Sequence, residues 1–380
     1  MATATSSQID PLRIAQVRTL VYRAPLTEPV QTSFGVMHDR PALLVRVEDR
    51  DGVFGWGEVW CNFPTVGAEH RARLLDSVVA PLLCAQAWSD ARAAFREISR
   101  RLHVLALQSG ESGPMAQVVA GIDIALWDLA ARRARQPLWK LLGGTATIPV
   151  YASGLNPGNP ERLAAAKLRE GHRAFKLKVG FGAERDRANL EALRALAGPL
   201  PLMVDANQAW DPEEARAMSA LLAQFAPLWL EEPIATDQPL SAWQRLARDS
   251  KTPLAAGENL RGIEAFAAAL DSGAFGVIQP DIGKWGGFSG CLEVGKLARA
   301  RGVMFCPHWL GGGIGLAASL HLKAGIGGPG YAEVDANPNP LRELGVIPAL
   351  SVRDGSITLS DIPGLGVVPN LAAIEPYRVL

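Results

Sequence analysis

The chain has 380 residues, 48% of them hydrophobic, with 38 Lys plus Arg against 38 Asp plus Glu. That length suggests two domains with a sizeable core, and the balanced, interspersed charge excludes the basic footprint of a nucleic-acid or membrane-surface binder. Cys61, Cys84, Cys291 and Cys306 stand far apart with no C-x-x-C pair, which argues against a zinc cluster or disulfide framework and for a reduced, cytoplasmic setting.

Residues 1–10 (MATATSSQID) are small and polar, lack the apolar core of a signal peptide, and read as a loose leader. Residues 11 to about 58 alternate in strand fashion, with Asp51-Gly52 as a hairpin signal. Residues 67 to about 142 carry helical spacing and end in a long apolar run, MAQVVAGIDIALWDLAARRARQPLWKLLGG. The charges in that run argue against a membrane span. Residues 1–142 are thus expected to form an α+β domain.

From 143 to 345 short apolar runs alternate with amphipathic helices. Eight strand candidates end near Ser153, Lys178, Asp205, Glu231, Glu258, Asp281, His308 and Glu333, in steps of 25, 27, 26, 27, 23, 27 and 25. Each step holds one strand, one helix and two loops. The spacing predicts a TIM-type barrel with its active site at the strands' C-terminal ends. The tail, 346–380, returns to strand-like segments and is expected to pack back on the first domain.

Taken singly, each marked residue has a bland explanation: a solvated face, a helix cap, a hydrogen-bonded core histidine. Together they share one rim. Lys176 and Lys178 point to the same face of the strand FKLKVG. Asp205, Glu231 and Glu258 follow on successive strands, where neighbours lie about 4.8 Å apart. Three converging carboxylates suit a hard divalent cation, with Mg²⁺ preferred. The alternative is an acidic cluster that pairs with the lysines and binds no metal. Asn207 and Asn259 stand beside the trio. Lys178, at the strand end, is expected as a base toward a C–H made acidic by a metal-bound carboxylate, and Lys176 as a holder of developing charge. Asp281 would orient His308 as a second acid/base group. Glu333, if protonated, would donate to the substrate carboxylate, unless it serves a structural ion pair.

These motifs, FKLKVG, VDANQ, WLEEP, GEN, QPD and the histidine of CPHW, resemble in order and spacing the enolase superfamily, mandelate racemase subgroup. GWGE near Trp56 and GIDIALWDLA from Gly121 resemble its capping domain. The resemblance implies an α+β capping domain, completed by the C-terminal tail, over a modified (β/α)₇β barrel. It implies Mg²⁺ on Asp205, Glu231 and Glu258, one ion per subunit. Lys178 and the His308–Asp281 dyad would be the acid/base catalysts, with Lys176 and Glu333 polarising the substrate carboxylate. Lys284 would support the dyad region. It also implies a homo-oligomer, from dimer to octamer, acting on a small-molecule carboxylate. Specificity would come from Thr32 to Arg40 and Trp60 to Gly67. There His38 and Arg40 are candidate contacts to a distal carboxylate, and Phe34, Trp60 and Phe63 candidate pocket walls.

The expected activity is Mg²⁺-dependent removal of the proton α to a carboxylate, then loss of water from an acid sugar. The alternatives are a racemase or epimerase, or a sugar-lactone cycloisomerase. A Schiff-base aldolase has no use for the carboxylate trio, and a noncatalytic scaffold would tolerate Lys178→Ala.

Overall fold

The computed structural model describes residues 11–32 and 35–380, so the leader and Phe34 lie outside the described residues. The first domain is an antiparallel sheet of β1 (Leu12–Gln31), β2 (Val36–Asp49), β3 (Phe54–Val59) and β4 (Ala87–Trp88), ordered β3-β2-β1-β4. At the Asp51-Gly52 turn, Asp49 Oδ1 accepts the N–H groups of Asp51 and Val53, each at 2.9 Å, and Gly52 takes φ +80. Helices α1 (Gly67–Leu74), α2 (Ala80–Cys84), α3 (Ala91–Gln108), α4 (Ser112–Arg133) and α5 (Leu138–Leu141) follow.

α4 is the core of this domain. It is long and apolar enough to cross a bilayer, yet 78% of its most apolar window is buried, as in a core helix. β3 lies directly on it. A Cβ at Gly55 or Gly57 would come within 2.1 Å of an α4 carbonyl oxygen, so the FGWG spacing is what lets strand and helix touch.

The second domain carries eight strands: β5 (Thr147–Leu155), β6 (Phe175–Lys178), β7 (Leu202–Asp205), β8 (Leu230–Glu231), β9 (Leu254–Ala256), β10 (Val277–Ile278), β11 (Met304–Phe305) and β12 (Ala332–Asp335). The helices between them are α6 (Pro160–Arg169), α7 (Ala183–Ala197), α8 (Pro212–Leu222), α9 (Leu240–Asp249), α10 (Ile263–Asp271), α11 (Gly287–Ala300) and α12 (Gly313–Ile326). The parallel order runs β11-β10-β9-β8-β7-β6-β5-β12. The seam between β11 and β12 is spanned by Tyr331 N–H to Cys306 Sγ at 3.4 Å and Trp309 N–H to Glu333 Oε2 at 2.9 Å. This is a modified (β/α)₇β barrel under an α+β capping domain. Tyr151, Met203, Trp229, Ala255, Val277 and Cys306 fill its lower interior and floor the site above.

After β12 come α13 (Pro340–Glu343), β13 (Val346–Ile347), β14 (Val352–Arg353), β15 (Ser356–Thr358) and β16 (Val368–Pro369). The tail serves both domains rather than the first alone. β15 pairs antiparallel with β5 of the barrel, while Leu365 N–H donates to Asp128 of α4 at 2.7 Å and Val21 of β1 bonds the backbone of residues 379 and 380.

Two buried carboxylates of the capping domain sit on the N-termini of barrel helices. Glu58 accepts from Gly312 N–H at 2.6 Å and Gly315 N–H at 2.8 Å at the start of α12. Asp123 accepts from Ser289 N–H at 2.9 Å and its hydroxyl at 2.5 Å at the start of α11. The exposed N–H groups and dipole of a helix start favour a carboxylate there. Burial works the other way and wins, pushing both carboxyls up to about 7.

Candidate active site

The barrel register builds the site. Lys178 pairs with Asp205, and Asp205 with Glu231, so these three stand at one level at the strand ends. Glu258 lies two residues past β9, and Asp281 and His308 three past β10 and β11, joined by a parallel bridge of their own. All of these side chains, with Lys176 and Glu333, are buried or nearly so.

Each carboxylate meets a cation. Lys176 Nζ donates to Glu231 Oε1 and Oε2 at 2.7 and 2.8 Å, lies 2.8 Å from Glu333 Oε1, and stands 5.4 Å from the Tyr151 ring centre. Trp229 Nε1 and Gln279 Nε2 also donate to Glu231, at 3.1 and 2.7 Å. Lys178 Nζ donates to Asp205 Oδ2 at 2.6 Å, and Asn207 N–H caps the other oxygen at 2.8 Å. His308 faces carboxylates with both nitrogens: Asp281 Oδ2 at 2.6 Å from Nδ1, and Glu258 Oε2 at 2.5 Å from Nε2.

Burial alone would lower the pKa of Lys176 and of His308. The carboxylates overturn it in both: Glu231 and Glu333 hold Lys176, and Glu258 and Glu333 hold His308, well above their ordinary values. With a carboxylate oxygen against each ring nitrogen, the surroundings favour the doubly protonated ring.

Glu333 departs from the expected protonated donor. Burial would raise its pKa, but Lys176 and His308 bring it down to about 2, and it accepts from the Ser153 hydroxyl and Trp309 N–H. It acts as an ionised holder of Lys176. Arg40 is a second correction. It is 1% exposed and ion-paired to Asp335, whose Oδ2 also lies 3.4 Å from Arg342 Nη1. A guanidinium buried this deeply needs a carboxylate, and Asp335 on β12 supplies one, so Arg40 joins the domains and does not face substrate. His38 is exposed on β2 and does not line the site.

A cavity of about 240 Å³ lies above these groups. Its roof is Thr32, Trp60, Asn62 and Phe63 of the capping domain; its floor includes Lys178, Asn207, Glu258, Lys284 and His308. Asn62 Nδ2 donates to Leu310 O at 2.5 Å and ties roof to barrel. A larger cavity of about 910 Å³, between β1, β2 and the tail, holds no such set of acid/base groups.

Glu232 was not anticipated. Alternation along a strand turns it away from Glu231, but its φ of +37 breaks the alternation. It is buried, and Asn259 Nδ2 bridges it to Glu258 at 2.9 and 3.2 Å. The doubled glutamate in WLEEP was the one available signal. Trp229 and Gln279, which hold Glu231, likewise lie inside the motifs WLEEP and QPD, where the sequence pattern assigns them no role.

Among the described residues, no three His, Cys, Asp or Glu side chains are drawn around one point as a ready metal cradle. The donor chemistry nevertheless fits a dication. Asp205, Glu231, Glu232, Glu258, Asp281 and Glu333 give six buried or nearly buried carboxylates. Burial and the neighbouring carboxylates raise Glu231 to about 7 and Glu232 well above the ordinary carboxylate value, a cost that a bound dication would relieve.

The comparisons with known proteins agree with the geometry. Residues 14–143 match the mandelate racemase / muconate lactonizing enzyme N-terminal domain family, and residues 160–373 the enolase C-terminal domain-like family. The chain belongs to the enolase superfamily, in its mandelate racemase subgroup. It is 31% identical over 386 residues to D-galactarolactone cycloisomerase of Agrobacterium fabrum, with 97% of this chain and 99% of that protein covered. A crystal structure of a mandelate racemase/muconate lactonizing enzyme from Bordetella bronchiseptica RB50 superposes with TM-score 0.91 at 52% identity, covering 97% of this chain and 100% of that one. A racemase from Streptomyces coelicolor, solved with bound magnesium, superposes with TM-score 0.86 at 32% identity, covering 96% and 100%. Further relatives are dehydratases and a racemase. The protein is an enzyme, a lyase or isomerase, from a family that acts on small-molecule acids.

Proposed function

We propose that the chain removes the proton α to the carboxylate of an acid sugar and then expels a β-oxygen, most simply as water. The carrying observation is the placement of Lys178 and His308 on strands two and seven of one barrel, both lining one small cavity. Such an opposed pair can take a proton from one side of a bound carbon and deliver one on the other.

Lys178 is the base in this reading: it acts as the neutral amine, having first given up one ammonium proton, and its lone pair then takes the α-proton. His308, charged and oriented by Asp281, protonates the departing oxygen. Lys176, pinned by Glu231 and Glu333, keeps a fixed positive charge beneath the substrate carboxylate as the enediolate forms. Asp205, Glu231 and Glu258 would hold Mg²⁺, which supplies Lewis-acid polarisation of that carboxylate. Asn259 and Lys284 would steady Glu258 and Glu232. A second reading, expulsion of a lactone or ring oxygen, is favoured by relatives named as cycloisomerases that match nearly end to end. It uses the same residues and differs only in what leaves. The four cysteines are free, three of them buried, which supports a cytoplasmic setting. Assembly as a homo-oligomer belongs to the same proposal and is read by sedimentation velocity.

The test is ¹H NMR with Mg²⁺ in D₂O against acid sugars and their lactones. We expect one α-proton signal to be lost, with the product identifying the leaving group. Lys178→Ala should slow this at least about 10³-fold, in the range of a lost general base, and His308→Asn should block release of the β-oxygen. Normal turnover by Lys178→Ala would sink the proposal.

A further inference from the structure

We propose that a groove between α6 and the C-terminal end of β12, around Arg342, His172 and Lys167, binds a small metabolite through an oxyanion, a phosphate or carboxylate group. The groove shares no lining residue with the 240 Å³ cavity, and the inference stands independently of the reaction proposed above.

The groove encloses about 670 Å³ between α6, the end of β12, α13 and the segment leading into β14. A regular barrel covers this face with a helix after its eighth strand, whereas β12 is followed by the four-residue α13 and the tail. Arg342 and His172 line it at 8% and 3% exposure. Arg342 Nη2 is satisfied, donating to Asn337 O at 3.0 Å and Glu343 Oε1 at 2.7 Å. Its Nη1 is buried and has no hydrogen-bond partner among the described residues. The same holds for His172 Nδ1, and for Nη1 of Arg40 on the guanidinium held by Asp335. Asp335 does not answer these atoms. Its Oδ1 accepts from the N–H and Nδ2 of Asn337, and its Oδ2 from Arg40 Nη2. Oδ2 lies 3.4 Å from Arg342 Nη1, an ion pair without a hydrogen bond.

The unmet demand is for acceptors. Two of the three orphan atoms belong to guanidiniums, which only donate, and the third to an imidazole that donates in one tautomer. Burial, then Lys167, Arg342 and Arg173, push the His172 ring down to about 4 against the opposing pull of Glu170, so the field at the ring is positive. A water would bring two protons of its own to place, whereas an oxyanion brings acceptors alone. Three acids line the groove: Asp335, Glu170 and Glu343. Asp335 is buried, but the Glu170 and Glu343 side chains are 54% and 47% exposed where they meet Lys167 and Arg342 at 2.8 and 2.7 Å. Such half-exposed pairs hold weakly. Either carboxylate can turn to water while Lys167 and Arg342, 12% and 7% exposed, stay in the groove. A guanidinium fork then takes an oxyanion in its place.

Calorimetric titration of inorganic phosphate and of succinate into the Mg²⁺-loaded protein tests the site. We expect at least one of the two to bind below millimolar concentration. Phosphate alone identifies the ligand class as phosphorylated, succinate alone as a carboxylic acid, and binding of both as any small oxyanion; each supports the groove. Arg342→Gln should weaken the binding at least about tenfold, as for a lost hydrogen bond to a charged group. Lys167→Met, on the outer helix α6, leaves Arg40 and Asp335 paired and should weaken it likewise, so the test stands even where Arg342→Gln does not fold. Asp205→Asn changes the active site and not the groove, and should bind as the parent does. Binding of neither probe, or binding undiminished in Lys167→Met or in folded Arg342→Gln, overturns the inference. Binding lost in Asp205→Asn overturns it too, and places the anion in the active site instead.

Discussion

The Glu58 carboxyl ties the capping domain to the loop that follows His308, and its environment predicts how stability changes with pH. It is 1% exposed and bonded by two N–H groups of α12. Burial raises its pKa from 4.5 to about 7. Between those values the folded protein binds more protons at this site than the unfolded chain, so its contribution to stability falls as pH rises. Integrated from pH 5 to pH 8, the loss is about 2.5 kcal/mol. Unfolding entropy for a chain of this length is roughly 0.8 kcal/mol/K, so the midpoint moves by about 3 °C. The perturbation is Glu58→Gln, which keeps the shape and cannot ionise. Scanning calorimetry on both proteins at pH 5 and pH 8 isolates the site, because every other titrating group cancels in the double difference. The parent should lose about 3 °C more than the variant between pH 5 and pH 8. A double difference near zero, or of opposite sign, refutes the reasoning and means the helix N–H groups outweigh burial and keep the carboxylate ionised.

Two further outcomes follow from packing and charge. A Cβ at Gly315 would lie 1.9 Å from Trp309 Cζ2, so Gly315→Ala must displace the residue next to His308. We expect a destabilisation of about 1–3 kcal/mol with a loss of activity, and an unchanged thermal midpoint would disprove the close contact. Mg²⁺ at a hundred times its dissociation constant should stabilise the protein by about 2.7 kcal/mol, and Asp205→Asn should remove most of that effect. No thermal shift at millimolar Mg²⁺ would return the carboxylates to a purely structural role.

Much of this was legible along the chain because it depends on local periods. Two-residue alternation placed Lys176 and Lys178 on one face, and a βα step repeated seven times placed Asp205, Glu231, Glu258, Asp281 and His308 on one rim. Neither inference needs a distance between remote segments. The folded arrangement adds what those periods leave open, at the points where they break or where two domains meet. The positive φ of Glu232 turns a side chain that alternation sends outward toward Glu258. The choice of Asp335 as the partner of Arg40 spans 295 residues, and no pattern in either segment announces it. Glu333 is ionised because Lys176 and His308 both reach it, a matter of three strands meeting at once. Local patterns along the chain specify the scaffold and the set of chemical groups upon it. Which group neutralises which was settled by burial, since a charge taken out of water must find its counter-charge within a few ångströms.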